Sequence, residues 1–245
     1  MTTGMNRRKL LGVAGVAAAG AALAACSTDD KTTTSATAPQ TSIAHRPEIT
    51  TPAEARAELR RGNERYLKGQ MVHPGADEQR RVEVALGQEP FAAILGCADS
   101  RVPVEILTDQ GFGDLFVVRV AGNIVGKSEL GSLQFAVEHL HVPLIAVVGH
   151  AKCGAVDAAV GVAGGGAMPG GAVDDIVNHI LPAARKAKGE QGGDLLTRAI
   201  KDNAIQSRDQ LLKDPLIAGE VKKGTLEVVA AYYTLEDGRF VVLDN

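Results

Sequence analysis

Leu144-Ile145-Ala146-Val147-Val148-Gly149-His150-Ala151-Lys152-Cys153-Gly154 is the stretch on which the reading of this chain turns. Five consecutive aliphatic residues suit a strand buried on both faces. Gly149 ends the run, and His150 and Cys153 are spaced so that one loop and the first turn of a helix carry both. Fifty-three residues before His150 the same scheme appears. Phe91 to Leu95 is apolar, Gly96 ends it, and Cys97-Ala98-Asp99-Ser100-Arg101 follows. Two thiolates and one imidazole leave one corner of a tetrahedral zinc free. Closed structural sites take four protein ligands, whereas catalytic ones keep three and admit water. The third cysteine, Cys26, lies in the N-terminal segment, so the fourth position falls to solvent or to a carboxylate, Asp99 being the nearest candidate. A plain core role for all three residues has the same composition. It is disfavoured because each ligand segment leaves a strand-like run, where open α/β sheets bind ligands.

Outward from these two segments, the pattern alternates. Thr51-Pro52 reads as a helix start, with Thr as cap and Pro in the first turn, and Leu59, Asn63, Tyr66 and Leu67 recur at helical spacing. Leu115 to Val120 is a further strand ended by Ala121-Gly122-Asn123, and Leu130, Leu133, Ala136, Val137 and Leu140 mark an amphipathic helix. An Ala-rich helix is expected from Gly154 to about Val162, a glycine-rich break over Gly164 to Gly171, and two or three helices over Val173 to Leu212 with Pro182 interrupting one. Leu226 to Thr234 and Arg239 to Leu243 flank Glu236-Asp237-Gly238, a hairpin signal. The expected fold class is α/β, with a mainly parallel central sheet flanked by helices, an N-terminal helical arm and a last strand antiparallel at an edge. A net charge of -3 gives no electrostatic case for nucleic acid, and 3% aromatic content without Trp suits close helix-on-sheet packing.

Residues 1–25 read as an export signal and not as part of the fold. Asn6-Arg7-Arg8-Lys9 is charged, and the 16 uncharged residues from Leu10 to Ala25 fall short of the roughly 20 needed to span a bilayer. Leu23-Ala24-Ala25-Cys26 resembles a bacterial lipobox, which implies lipidation of Cys26 and anchoring to the extracytoplasmic face of the cell membrane. Arg7-Arg8 resembles a twin-arginine signal, although Asn6 and Gly12 depart from its usual flanks. Residues 26–50, rich in Ser, Thr, Asp and Pro, are expected to form a flexible tether, leaving 51–245 as the catalytic domain. Free paired thiols outside the cytoplasm tend toward disulfides. A route that exports folded protein would let metal load first.

Four segments together resemble the β-class carbonic anhydrases, from about residue 51 to the C-terminus. They are Leu59-Arg60-Arg61-Gly62-Asn63-Glu64-Arg65-Tyr66, Cys97 to Arg101, Val117-Val118-Arg119-Val120-Ala121-Gly122-Asn123 and Gly149 to Gly154. The resemblance implies one Zn2+ per chain on Cys97, His150 and Cys153, with Asp99 and Arg101 as a catalytic dyad. It implies reversible hydration of carbon dioxide to bicarbonate and a proton by zinc-bound hydroxide, and a homodimer or higher even oligomer built by a crossing N-terminal helix. In some members a closed form is held by bicarbonate in a side pocket that uses a Trp and an Arg. Arg119 matches that arginine by motif, but the chain lacks Trp, which favours an open site with Arg119 supporting a dimer interface.

Three rival readings share these residues. The scaffold also serves carbon disulfide and carbonyl sulfide hydrolases in the family. A non-catalytic zinc-binding surface lipoprotein would have no use for an Asp99–Arg101 pair. A Cys97–Cys153 redox protein would leave His150 idle. Gln110 is assigned with equal weight to a partner's active site or to the surface. His139 and His141 are assigned to solvent, His45 to the tether, and His73 and His179 have no partner in sequence.

Overall fold

The computed structural model of the protein describes residues 48–243. The expected export signal, Cys26, His45 and most of the tether lie outside the described residues. Among the described residues no helix is long and apolar enough to cross a membrane.

The central sheet has five strands: β1 (Ala92–Gly96), β2 (Leu115–Arg119), β3 (Leu144–His150), β4 (Glu227–Tyr233) and β5 (Phe240–Val242). Their order is β2-β1-β3-β4-β5. The first four are parallel and β5 is antiparallel to β4, as the hairpin signal predicts. Both central strands are buried throughout, which explains their unbroken apolar runs. Alternation still sorts their side chains. Ala93, Leu95, Ile145 and Val147 face one core, and Ala92, Ile94, Ala146 and Val148 face another. The first core is closed by α4 (Lys127–Leu140), α7 (Leu195–Leu211) and α8 (Pro215–Lys223), through Leu133, Val137, Leu211 and Ile217. The second is closed by α1 (Pro52–Leu67) and α3 (Val104–Leu107), through Ala55, Leu59, Val104 and Leu107.

From β1 the chain steps to β2 on one side and then returns to β3 on the other. The gap between the carboxyl ends of β1 and β3 is therefore the point where strand order reverses, the place such sheets reserve for ligands. A third core, built from α5 (Gly154–Ala163), α6 (Val173–Gly189) and α7, closes over that gap and includes Cys97 and Cys153.

The helix start at Thr51 is a full capping box. Thr51 Oγ1 accepts from the Glu54 N–H, and the Glu54 carboxylate accepts from the Thr51 N–H. The arm is fixed to its own chain. Asn63 donates to the carbonyls of Leu107 and Gly238, both at 2.9 Å, and Gly62 lies so close that a Cβ there would sit 1.7 Å from Thr108 O.

Pro182 does not interrupt its helix. The α6 helix runs through it for 17 residues. A proline inside a helix forfeits one backbone bond at about 3 kcal/mol. Val177, Ile180, Leu181, Ala183, Ala184 and Ala187, all buried on one side, hold the segment helical regardless. Two short helices were not anticipated: α2 (Glu78–Glu83), with no buried residue, and α8.

Candidate metal centre

Cys97 follows β1 directly, His150 is the last residue of β3, and Cys153 is the N-cap of α5. The turn between the two β3-side ligands requires Lys152 in the left-handed region, at φ 55. It is pinned by the Ala151 N–H, which donates to Tyr233 O at 2.8 Å. Residues 53 apart in sequence thus reach one point because parallel strands β1 and β3 are neighbours.

The ligand atoms of Cys97, His150 and Cys153 all lie within 4.8 Å of one another, and all three residues are buried. The two sulfurs are 4.0 Å apart. Two Zn–S bonds of about 2.3 Å at a tetrahedral angle would set them about 3.8 Å apart. His150 is fully buried, and its Nδ1 lies 2.9 Å from Ala151 O. That carbonyl fixes the proton on Nδ1 and leaves the Nε2 lone pair bare. Nε2 has no hydrogen-bond partner among the described residues. A buried, unpartnered imidazole nitrogen facing two sulfurs is what a metal-binding site looks like before the ion is added. The donor set fits zinc.

Two thiolates side by side here would need a cation between them. The Cys153 thiol, followed by His150 and the Gly122 N–H, draws Cys97 well below the ordinary thiol range against the cost of burial. The same contact, together with burial, pushes Cys153 up. Without an ion, only one of the pair is stable as thiolate.

Asp99 and Arg101 meet at the rim. Arg101 Nε donates to Asp99 Oδ1 at 2.9 Å and Nη2 to Oδ2 at 2.7 Å, and the Arg101 N–H also donates to Oδ1 at 2.9 Å. This fork holds the carboxyl well below its usual range, mainly through the Arg101 side chain, with burial opposing. Asp99 Oδ2 is 3.8 Å from His150 Nε2, so the ionised carboxylate stands beside the ligand cluster. Arg101 Nη2 also donates to Lys152 O at 3.3 Å, linking the two ligand loops.

Two contributors were not foreseen. Gly122, read from sequence as a strand stop and as part of a family segment but given no role, donates its N–H to Cys97 Sγ at 3.3 Å. Its φ of 72 and the Ile180 Cδ1 atom 2.6 Å from any added Cβ restrict the position to glycine. Arg119 donates to the main-chain carbonyls of Cys97 and Asp99.

Other expectations fare differently. Gln110 is buried within its own chain, donating to Thr108 O at 2.6 Å and to Glu58 Oε1 at 3.4 Å. His139 is exposed and meets Phe135 in a tilted ring contact, centroids 4.8 Å apart and planes at 51°. His141 is the left-handed C-cap of α4. The His73 N–H donates to Asp109 Oδ1 at 2.9 Å. His179 Nδ1 lies 2.8 Å from Asp175 O.

A parallel α/β sheet with a Cys–His–Cys cluster and a locked Asp–Arg pair at its switch point defines a metal-binding enzyme scaffold. The comparisons agree on which one. A family model described as carbonic anhydrase matches residues 92–240. The chain is 40% identical over 198 residues to carbonic anhydrase 2 of Mycobacterium tuberculosis, covering 80% of this chain and 95% of the relative. It is 39% identical to a carbonic anhydrase of Mycolicibacterium smegmatis, covering 77% and 91%. Among solved structures it superimposes on the β-carbonic anhydrase CcaA with a TM-score of 0.63 at 26% identity, covering 77% and 87% of the two chains. It also superimposes on a tetrameric β-carbonic anhydrase of Sordaria macrospora with a TM-score of 0.61 at 25% identity, covering 67% and 86%. The chain belongs to the β-class carbonic anhydrase family.

Proposed function

We propose that this protein catalyses the reversible hydration of carbon dioxide to bicarbonate and a proton, with zinc held by Cys97, His150 and Cys153 and with Asp99 and Arg101 as its catalytic pair. One observation carries the reading: an ionised, doubly anchored carboxylate 3.8 Å from the bare nitrogen of a buried Cys–His–Cys cluster. Zinc bound there would supply Lewis acidity, making a water acidic near neutral pH.

The chain's own residues supply the rest. Because Arg101 keeps Asp99 ionised, Asp99 accepts a hydrogen bond from the reacting water and orients it, and cannot compete as a proton donor. The fork from Arg101 also restrains Asp99 from turning inward to fill the fourth position. The Asp99 side chain is 18% exposed and that of Arg101 50%, so the pair opens to solvent, where the released proton must go.

Asp99→Asn and Arg101→Ala should both keep zinc and lose about a hundredfold in CO2 hydration, measured by stopped flow beside a metal assay. Near-normal turnover in either variant would remove the pair from the mechanism.

We also infer a homodimer or higher even oligomer, and an exported, lipid-anchored chain. The first is supported by the solved relative described as tetrameric and by Val82, Leu86 and Phe112, apolar yet 62%, 97% and 49% exposed. A monomer by sedimentation at working concentration would refute it. The second rests on Arg7-Arg8 and Leu23 to Cys26.

A further inference from the structure

We propose that Arg119 is a positioning residue that clamps the Cys97–Asp99 backbone, and so sets both a metal ligand and the catalytic carboxylate; this rests on the function proposed above. Its Nε donates to Cys97 O at 3.0 Å and its Nη2 to Asp99 O at 2.6 Å. One planar guanidinium thereby spans two carbonyls that flank a single residue, a geometry a flexible ammonium does not reproduce.

The need for such a clamp follows from the sheet. Gly96 is paired with Arg119 in the β1–β2 register, and the ladder runs one step beyond both strands. Val120 N donates to Gly96 O at 3.1 Å, and Ala98 N donates to Val120 O at 3.2 Å. The ladder therefore secures Gly96 and Ala98. The carbonyls of Cys97 and Asp99 are the ones the Arg119 side chain takes, at the point where β1 has ended and the ligand loop begins. The adjoining Gly122 N–H reaches Cys97 Sγ from the same connection. The last residue of β2 and the turn after it thus fix Cys97 twice, by its carbonyl and by its sulfur.

The consequence concerns Asp99. Its carboxylate already stands 3.8 Å from His150 Nε2, and Arg101 restrains only its side chain and one oxygen's backbone contact. With Arg119 gone, the Asp99 carbonyl keeps only the bond from the Val102 N–H at 3.1 Å, so the loop that carries the carboxylate is held less firmly beside the ligand cluster. Arg119 therefore acts through Asp99 and Cys97 and does not itself touch the reacting atoms.

The test uses the full chain with Arg119→Met, which keeps the stem and loses both donors, and Arg119→Lys, which keeps the charge but has a single donor head. Three readouts apply: the visible spectrum of the cobalt-substituted protein, the pH profile of CO2 hydration, and hydrogen exchange across residues 96–101 in the metal-free protein. We expect unchanged metal stoichiometry, an altered cobalt spectrum, faster exchange, a pH profile displaced upward, and turnover lower by about ten- to a hundredfold in Arg119→Met, with Arg119→Lys in between. Cobalt spectra and pH profiles that superimpose on the parent protein would overturn the proposal. So would a loss of turnover that disappears as protein concentration rises, since that marks an assembly defect. If Arg119→Met does not fold, the same readouts on Arg119→Lys decide. If the parent protein hydrates no CO2, the functional reading fails, while the cobalt spectrum and exchange still judge the clamp.

Discussion

His150 shows how one side chain acquires a role from its surroundings. It is fully buried, its Nδ1 is committed to Ala151 O, and its Nε2 faces two sulfurs and a carboxylate. A neutral imidazole with one nitrogen occupied and one bare is the form that ligates metal. In a core without an ion, the same nitrogen would be an uncompensated polar atom. His150→Gln retains a polar side chain of similar reach but neither the ring nor its directed lone pair. Losing a group that only orients a metal ligand costs about ten- to a hundredfold in metal affinity. Losing the ligating nitrogen itself should therefore lower zinc affinity by more than about a hundredfold, seen as zinc per chain near zero after dialysis. Zinc content equal to the parent's would exclude His150 as a ligand. The three ligands were legible in sequence because each follows an apolar run closed by glycine, at Gly96 and Gly149. The contacts of Gly122 and Arg119 were not, because they arise only where the end of β2 and the turn after it meet the end of β1.

At the scale of elements, the arm α1 is fastened by charge as well as by packing. Arg65 Nε donates to Asp109 Oδ2 at 2.5 Å, and the N–H groups of Val72 and His73 donate to the same carboxylate at 3.1 and 2.9 Å. One buried Asp thus joins α1, the segment after it and the loop after α3. Burial opposes its charge, but the Arg65 bond and the two N–H bonds outweigh that cost, so the carboxyl lies below its ordinary value of 3.8. A depressed folded pKa contributes stability that is complete above the unfolded value and fades as pH falls through the folded one. Asp109→Asn should therefore destabilise the protein by about 2 kcal/mol at pH 7, because Arg65 and two N–H groups lose a charged acceptor and only Glu58 is left to pair Arg65. The gap between the two proteins should narrow below about pH 4. Urea melts at pH 7 and at successively lower pH check it, and a gap that does not change with pH would refute the electrostatic account. None of this pairing follows from residue spacing, since Arg65 and Asp109 lie on separate elements. Propensity also misjudged two helices for opposite reasons. Pro182 carried too much weight against a well-buried face. In α8 the Asp214 cap, Pro215 at the first turn and Gly224 at φ 77 are ordinary start and stop signals, but they lie just beyond Leu212, where the expected helical region ended.

On the scale of the whole molecule, the ligand cluster ties the ends of β1 and β3 to the start of α5 inside the third core, so the ion belongs to the folded state and not to any short segment. An unfolded chain offers the same thiols with nothing to converge them. Binding that is confined to the native state couples metal loading to folding. This matters because the chain is proposed to work outside the cytoplasm. The two sulfurs are 4.0 Å apart before any ion arrives, close enough that a modest rotation would let an oxidant join them, and a disulfide there would abolish the site. Folding and loading before export remove that hazard, whereas export as an unfolded chain exposes both thiols first. The expected outcome is therefore asymmetric. Material exported through its own Arg7-Arg8 signal should carry close to one zinc per chain with both thiols reduced after chelation. The same domain sent through an unfolded-state route should carry less zinc and a measurable fraction of Cys97–Cys153 disulfide, counted by thiol alkylation and mass spectrometry. In both cases Cys26→Ser should release the protein from the membrane fraction without changing its zinc content, since the ligand cluster among the described residues is Cys97, His150 and Cys153. Equal zinc and equal thiol counts by the two routes would mean that the fold captures its metal after export as readily as before, and that the paired arginines serve some purpose other than protecting the site.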